Sequence, residues 1–218
     1  MRVKKFRRFL PILTLTAVLS VLAVFLYASL SLRGNGAGRF GALLSRPEIT
    51  RLVRAEVPDY VDVQLIDVDG EARRGVPLEN ITGIVVHYVD NPGTSAQGNR
   101  DYFDTPGTLV SAHFVIGLEG EVIQCVPLWE KSSASNERNR DTISIECCHP
   151  DEDGKFTEET YASLVKLTAW LCELNELTAE QVIRHYDVTE KLCPLYFVEH
   201  EDVWEQFRKD VENMIGNP

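Results

Sequence analysis

The sequence predicts an α/β domain, a mixed central β-sheet flanked by helices, set behind one N-terminal transmembrane helix. Three observations carry this. Short runs rich in β-branched residues, bounded by Gly, Pro, Asn and Asp, recur at Ile81–Val89, Ser111–Gly117, Glu121–Cys125 and Thr142–Cys147 and read as strands. Two longer segments, Thr157–Leu174 and Glu201–Met214, repeat apolar residues with helical period and supply covering layers. Phe9 to Leu32 contains no charged residue; at 1.5 Å per residue it spans about 36 Å as a helix, enough to cross a bilayer's apolar layer.

In chain order, residues 1–8 form a basic tail with Arg2, Lys4, Lys5, Arg7 and Arg8, followed by the apolar segment 9–32 and Arg33. The positive-inside bias places the tail in the cytoplasm and everything after Arg33 outside. The expected location is thus the cell membrane, single-pass, with an extracytoplasmic domain. A cleaved signal peptide, which would leave the domain secreted, is the competing reading. The run exceeds the usual h-region of about 7–15 residues, and Ser29-Leu30-Ser31 is a weak cleavage pattern, so a signal anchor is preferred. Residues 33–47 hold four glycines without apolar periodicity and read as a flexible linker. The folded domain, 48–218, opens with a short helix within Arg46–Glu56 and a strand at Val61–Val68. Leu118-Glu119-Gly120-Glu121 joins two strands as a hairpin, Ser95–Phe103 forms a short helix, and Thr157 caps the long helix with Glu158 and Glu159 in its first turn.

The chain carries 22 basic and 33 acidic residues, for a net charge of −11. Setting aside the five basic residues before Phe9 leaves 17 against 33, about −16, which argues against a nucleic-acid partner and for recognition through local hydrogen bonds in a cleft. The composition specifies no oligomeric state. Five cysteines in an exported domain permit two disulfides and one free thiol, with Cys148–Cys172 or Cys125–Cys147 as candidate bridges; buried free thiols are the alternative.

His87, His185 and Cys193, with Glu146 and Lys191, supply three metal-ligand types, an acid/base carboxylate and a fixed cation. Two neutral imidazoles and one thiolate leave a zinc ion a net charge of about +1 and a position open to water. A carboxylate can then take that water's proton, and a lysine can meet negative charge developing on a carbonyl oxygen. Glu146 ends the apolar run Thr142-Ile143-Ser144-Ile145, where a charge is costly unless it faces a cleft or finds a partner. Singly, each has an ordinary structural reading: a strand-tip carboxylate, a surface lysine, a packed or bridged thiol. His149 reads as a loop histidine and His200 as a solvated one.

The stretch from about Pro77 to Val211 resembles the zinc-dependent N-acetylmuramoyl-L-alanine amidases of the phage-lysozyme and peptidoglycan-recognition-protein superfamily. The motifs that carry the resemblance are Ile84-Val85-Val86-His87-Tyr88, Asn91-Pro92-Gly93-Thr94-Ser95-Ala96 with Asn99-Arg100-Asp101-Tyr102-Phe103, Ser111-Ala112-His113-Phe114-Val115-Ile116, Ser144-Ile145-Glu146, and Arg184-His185-Tyr186-Asp187-Val188 through Lys191-Leu192-Cys193-Pro194. The resemblance implies that His87, His185 and Cys193 bind Zn2+, Glu146 assists the attacking water and Lys191 stabilises the oxyanion. The substrate it implies is peptidoglycan, cut between N-acetylmuramic acid and L-alanine. Some relatives carry a tyrosine just before the equivalent of His113; Ala112 stands here and shifts the acid/base role toward Glu146. His113 is expected to line the cleft or stand just behind it, with a packed strand histidine as the alternative. Asn99 and Arg100 are candidates to contact glycan or peptide, or else a helix cap and a surface charge. A non-catalytic peptidoglycan-binding or sensing protein on the same fold is the rival reading.

Overall fold

The computed structural model describes residues 47–68 and 70–216. The expected basic tail, transmembrane segment and nearly all of the linker lie outside the described residues. Among the described residues, no helix is long and apolar enough to cross a membrane.

The elements follow in the order α1 (Pro47–Arg54), β1 (Val61–Val63), β2 (Gly83–Tyr88), α2 (Ala96–Phe103), β3 (Phe114–Ile116), β4 (Val122–Gln124), β5 (Thr142–Cys147), α3 (Glu158–Asn175), β6 (Val182–Arg184), α4 (Tyr186–Thr189), α5 (Leu195–Glu199) and α6 (Glu201–Met214). Single 3-10 turns at Asn136–Arg140 and Ala179–Gln181 precede β5 and β6. The six strands form one mixed sheet in the order β1-β4-β3-β5-β2-β6. Only the β3–β4 hairpin is antiparallel; β1–β4, β3–β5, β2–β5 and β2–β6 are parallel.

The strands at the centre are buried on both sides, as a covered parallel sheet requires: all six residues of β2 are buried. Side-chain alternation then sorts the core into two faces. Val115 packs with Ala96 and Phe103 of α2, Ile66, Ile123 and Cys125. Phe114, on the opposite face, meets Trp170 of α3 edge-on at 6.5 Å. Behind α3, Phe197, Trp204 and Phe207 form an aromatic cluster with ring centroids 5.3–5.5 Å apart, which holds α5 and α6. Thr157 caps α3 as expected, its Oγ1 accepting from the Thr160 amide at 3.0 Å.

Two expectations need correction. β1 ends at Val63, not Val68, because beyond it the chain keeps only scattered bonds to its neighbours, Gln64 and Ile66 donating to the carbonyls of Gln124 and Cys125. Neither candidate disulfide forms; all five cysteines are free and buried. The sheet itself separates them. Cys125 and Cys148 belong to the cluster on the α2 face, whereas Cys147 alternates with Glu146 onto the α3 face and Cys172 sits on α3. Each candidate bridge would have to cross the sheet.

Residues 66–80, between β1 and β2, are fastened by a buried ion pair. Arg73 donates from Nε and Nη2 to the two Glu130 carboxylate oxygens at 2.8 and 3.0 Å, and both side chains are about nine-tenths buried. Pro77 bridges Glu130 and the Leu78 amide bonds the Trp129 carbonyl. Removing one partner strands the other charge, so Arg73→Met is expected to lower the unfolding free energy in urea by about 3–5 kcal/mol, and Glu130→Gln added to it to recover part of the loss.

Candidate active site

Parallel pairing sets the carboxyl ends of β2, β5 and β6 side by side, where clefts of open α/β sheets form. His87 and Glu146 are register partners on β2 and β5, so their side chains project from the same face at neighbouring positions. His185 directly follows β6, with its amide bonded to the Val86 carbonyl at 3.2 Å. Arg184 pins that strand end: its guanidinium bonds Asp187, Glu201 and the Phe197 carbonyl and lies over the Trp204 ring. After α4 the chain turns at Glu190, in the left-handed region at φ 62°, and returns Cys193 to the site, where its carbonyl accepts from the Tyr186 amide at 2.9 Å.

His87, His185 and Cys193 are all buried, and their ligand atoms lie within 4.8 Å of one another. Cys193 Sγ is 3.8 Å from His87 Nδ1. A tetrahedral zinc separates its N and S donors by roughly 3.5 Å, so the cluster needs only a small contraction to close on one ion. The outer ring nitrogens are already engaged: His87 Nε2 with Ser135 Oγ at 3.0 Å and His185 Nε2 with Asn136 Oδ1 at 2.9 Å. If both Nε2–H groups donate, both Nδ1 lone pairs face inward, the arrangement that outer partners impose on metal-bound histidines. Burial, with the neighbouring His185 and Lys191, pushes the His87 imidazole well below its usual pKa, and burial with Lys191 lowers that of His185, which favours the neutral form of both, the form that can bind a metal. Burial raises the Cys193 thiol pKa far above normal. A thiolate there requires a cation beside it.

Glu146 faces the same cleft, of about 530 Å³. Its Oε2 is buried and accepts no hydrogen bond. Burial raises the carboxyl pKa to about 8, with Lys191 pulling the other way. Lys191 stands at the rim, largely exposed, with Nζ 3.9 Å from Asp90. Asp90 in turn accepts from the Tyr88 hydroxyl at 2.8 Å. Tyr102, Leu109 and Val110 add an exposed apolar shelf to the cleft wall.

The other candidates divide. Asn99 lines the cleft, although its amide is spent on Thr94, the Ser95 carbonyl and Cys148. Arg100 turns away from the cleft: it bonds the carbonyls of Gln64 and Leu65, both at 3.0 Å, and pairs with Asp104 at 2.8 Å, tying α2 to the end of β1. His113 is wholly buried, with Nε2 donating to the Glu130 carbonyl at 2.9 Å and Nδ1 accepting from the Ser144 amide at 3.0 Å; it does not line the cleft. That burial lowers its pKa to about 4 and makes it the packed strand histidine of the two alternatives. Ala112 is likewise in the core.

Ser135, Asn136 and Asn139 were not among the expected residues. Asn139 Oδ1 accepts from the amides of Ala134 and Ser135 and so shapes the turn that presents Ser135 and Asn136 to the histidines. Asn136 adopts φ 52°, a backbone state that asparagine tolerates better than most residues. The polar run Ser132-Ser133-Ala134-Ser135-Asn136 before a strand was the available signal.

Fold and site thus define a mixed α/β domain with a His-His-Cys cluster that could hold a metal ion and a buried carboxylate at the carboxyl ends of its strands. Residues 77–195 match the N-acetylmuramoyl-L-alanine amidase family, Amidase_2, and the chain belongs to that family. It is 33% identical over 171 residues to N-acetylmuramoyl-L-alanine amidase CwlL of Bacillus licheniformis, covering 70% of this chain and 46% of that protein. A probable N-acetylmuramoyl-L-alanine amidase of the same organism is 32% identical over 169 residues, with 69% and 47% covered. The chain therefore spans about half the length of the curated relatives it matches. Among solved structures, the catalytic domain of XlyA superposes with a TM-score of 0.60 at 26% identity, covering 69% of this chain and 98% of that one. PlyL, at 22% identity and a TM-score of 0.62, shares the fold.

Two outcomes follow from this geometry. Ser135→Ala and Asn136→Ala are each expected to weaken zinc affinity about 10–100-fold, read by competition with a chromophoric chelator, while the circular dichroism spectrum is kept. In the metal-free protein Glu146 holds its proton to higher pH folded than unfolded, so its stabilising contribution is complete below about pH 4.5 and is lost as pH rises through about 8. Metal-free Glu146→Gln should match wild type in stability at pH 4 and exceed it by roughly 1–4 kcal/mol at pH 8 in urea titrations.

Proposed function

We propose that this chain is a zinc-dependent amidase that hydrolyses the amide bond between N-acetylmuramic acid and L-alanine in peptidoglycan. The observation that carries the reading is the placement of Glu146: in register beside His87, with an unpartnered buried Oε2, in the cleft that also holds His185, Cys193 and Lys191. Membership of the amidase family supports the substrate class. A merely binding cleft has no use for an uncompensated buried carboxylate next to a metal-ligand cluster, which costs stability without adding a contact.

His87, His185 and Cys193 would hold the zinc, which supplies Lewis acidity and lowers the pKa of water toward neutrality. Glu146 Oε2 takes a proton from the attacking water and returns it to the departing alanine nitrogen. Its raised pKa suits both halves of that exchange, and a bound cation favours the ionised form that starts it. The Lys191 ammonium at the rim meets negative charge gathering on the carbonyl oxygen. Ser135 and Asn136 keep the two imidazoles turned inward.

The proposal extends to location. The uncharged run Phe9–Leu32 supports a single-pass anchor in the cell membrane, with the domain on the outer side, where the wall it would cut lies.

Incubation of full-length, zinc-loaded protein with purified wall should release new alanine amino ends, read by mass spectrometry of the digest. Chelation should abolish the release and zinc restore it. Glu146→Gln is expected to lower kcat about 10²–10⁴-fold at unchanged zinc content, and Lys191→Ala to lower it by a smaller factor. Unchanged release by Glu146→Gln would refute the mechanism.

A further inference from the structure

A second recess, sharing no residue with the cleft, lies among α3, α5 and α6 on the sheet face opposite Glu146. It holds about 310 Å³ and is walled by Phe156, Tyr161, Tyr196, Phe197 and Val203, with Lys155 at its edge. The rings are held from behind. Phe156 meets Phe197 edge-on at 5.2 Å, the Tyr161 hydroxyl donates to Asp210 at 2.7 Å, and Tyr196 stacks on His200 at 4.0 Å. Both tyrosines stay half-buried, so each keeps ring surface for a ligand. The Lys155 ammonium stands 5.7 Å from the centroid of the Tyr196 ring. Lys155 is exposed and, among the described residues, no carboxylate pairs with it; Glu158, which also lines the recess, makes no ion pair with it.

The recess is tied to the metal-ligand cluster at two points. Tyr196 is three residues beyond Cys193, a chain distance of at most about 11 Å. Gly154 packs so closely on Tyr88 and Leu195 that an added Cβ would stand 3.2 Å from each, which seats the Lys155 loop against the strand that carries His87. The family match ends at Leu195, so Tyr196, Phe197 and Val203 lie beyond it.

Half-exposed tyrosine rings beside an unpaired cation suit a ligand with a flat apolar face and one negative charge. The proposed reaction makes such a ligand. Water adds across the amide, the C–N bond breaks, the alanine nitrogen leaves as an amine, and the lactyl carbon keeps the added oxygen as a carboxylate. Each cut thus leaves on the glycan a sugar with apolar C–H faces and a new negative charge. A protein of net charge −11 can hold that strand only through a local cation.

Resting on the amidase reading above, we propose that the recess is a subsite for a peptide-free muramic acid unit of the wall glycan. The sugar stacks on Tyr196 and Tyr161, and Lys155 pairs with its lactyl carboxylate, so that the domain favours strands it has begun to strip.

The test uses full-length, zinc-loaded protein and peptide-free muramic acid glycan oligomers in two forms, lactyl carboxylate and lactyl carboxamide. In calorimetry the carboxylate form is expected to bind about tenfold more tightly. Lys155→Ala should remove that difference while leaving carboxamide binding unchanged, and Lys155→Arg should restore it. Tyr196→Leu should weaken both forms at an unchanged circular dichroism spectrum. Equal binding of the two forms by wild type, an equal effect of Lys155→Ala on both, no effect of Tyr196→Leu, or no binding at all would overturn the assignment. Cleavage of a single N-acetylmuramoyl peptide, too short to span cluster and recess, reads the amidase proposal separately. Wild type that cleaves it but fails the binding test keeps the amidase reading and loses the subsite; wild type that binds carboxylate strands through Lys155 but cleaves nothing keeps the subsite and loses the amidase reading.

Discussion

The pairing of β2 with β5, parallel and in register from Gly83–Thr142 to Tyr88–Cys147, is the constraint on which the site depends. It fixes His87 beside Glu146 on one face and, because β6 pairs with the other edge of β2, delivers His185 to the same end. A slip of one residue would turn every side chain of β5 to the opposite face and send Glu146 into the apolar layer between the sheet and α3. Burial of β2 along its whole length specifies that register strongly, so the precision of the site is inherited from the core.

Around that pair the molecule places its costs deliberately. Glu146 and Cys193 are both held in surroundings that disfavour their ionised forms, and the two histidines in surroundings that disfavour protonation. A divalent cation relieves the first strain and needs the second condition. Those electrostatics suit a divalent cation, and the hydrogen bonds to Ser135 and Asn136 keep the imidazoles from relaxing into other orientations.

Much of this was legible in the sequence where a pattern was long or a motif specific. β5 and α6 fall on their expected boundaries, α3 shifts by one residue, and the cluster of His87, His185 and Cys193 assembles from three distant segments as the family motifs imply. What escaped was short or depended on tertiary partners. β6 has three residues, too few for periodicity, and is a strand only because β2 accepts it. Arg100 and His113 carry the residue types of a binding site, yet the carbonyls of Gln64, Leu65 and Glu130 consume their donors, and such carbonyls have no signature in a sequence. Ser135 and Asn136 escaped for the converse reason: they act through a turn whose shape depends on Asn139.

The unbridged thiols bear on where such a domain can work. Cys125, Cys148 and Cys172 have pKa values pushed up to about 12 by burial, and Cys147 is raised as well, so these four exist almost entirely as inert thiols rather than as the thiolates that exchange and oxidise. The fold is consequently indifferent to the redox poise around it. Once folded, the domain keeps the same covalent structure in a reducing or an oxidising medium, and its integrity turns on packing.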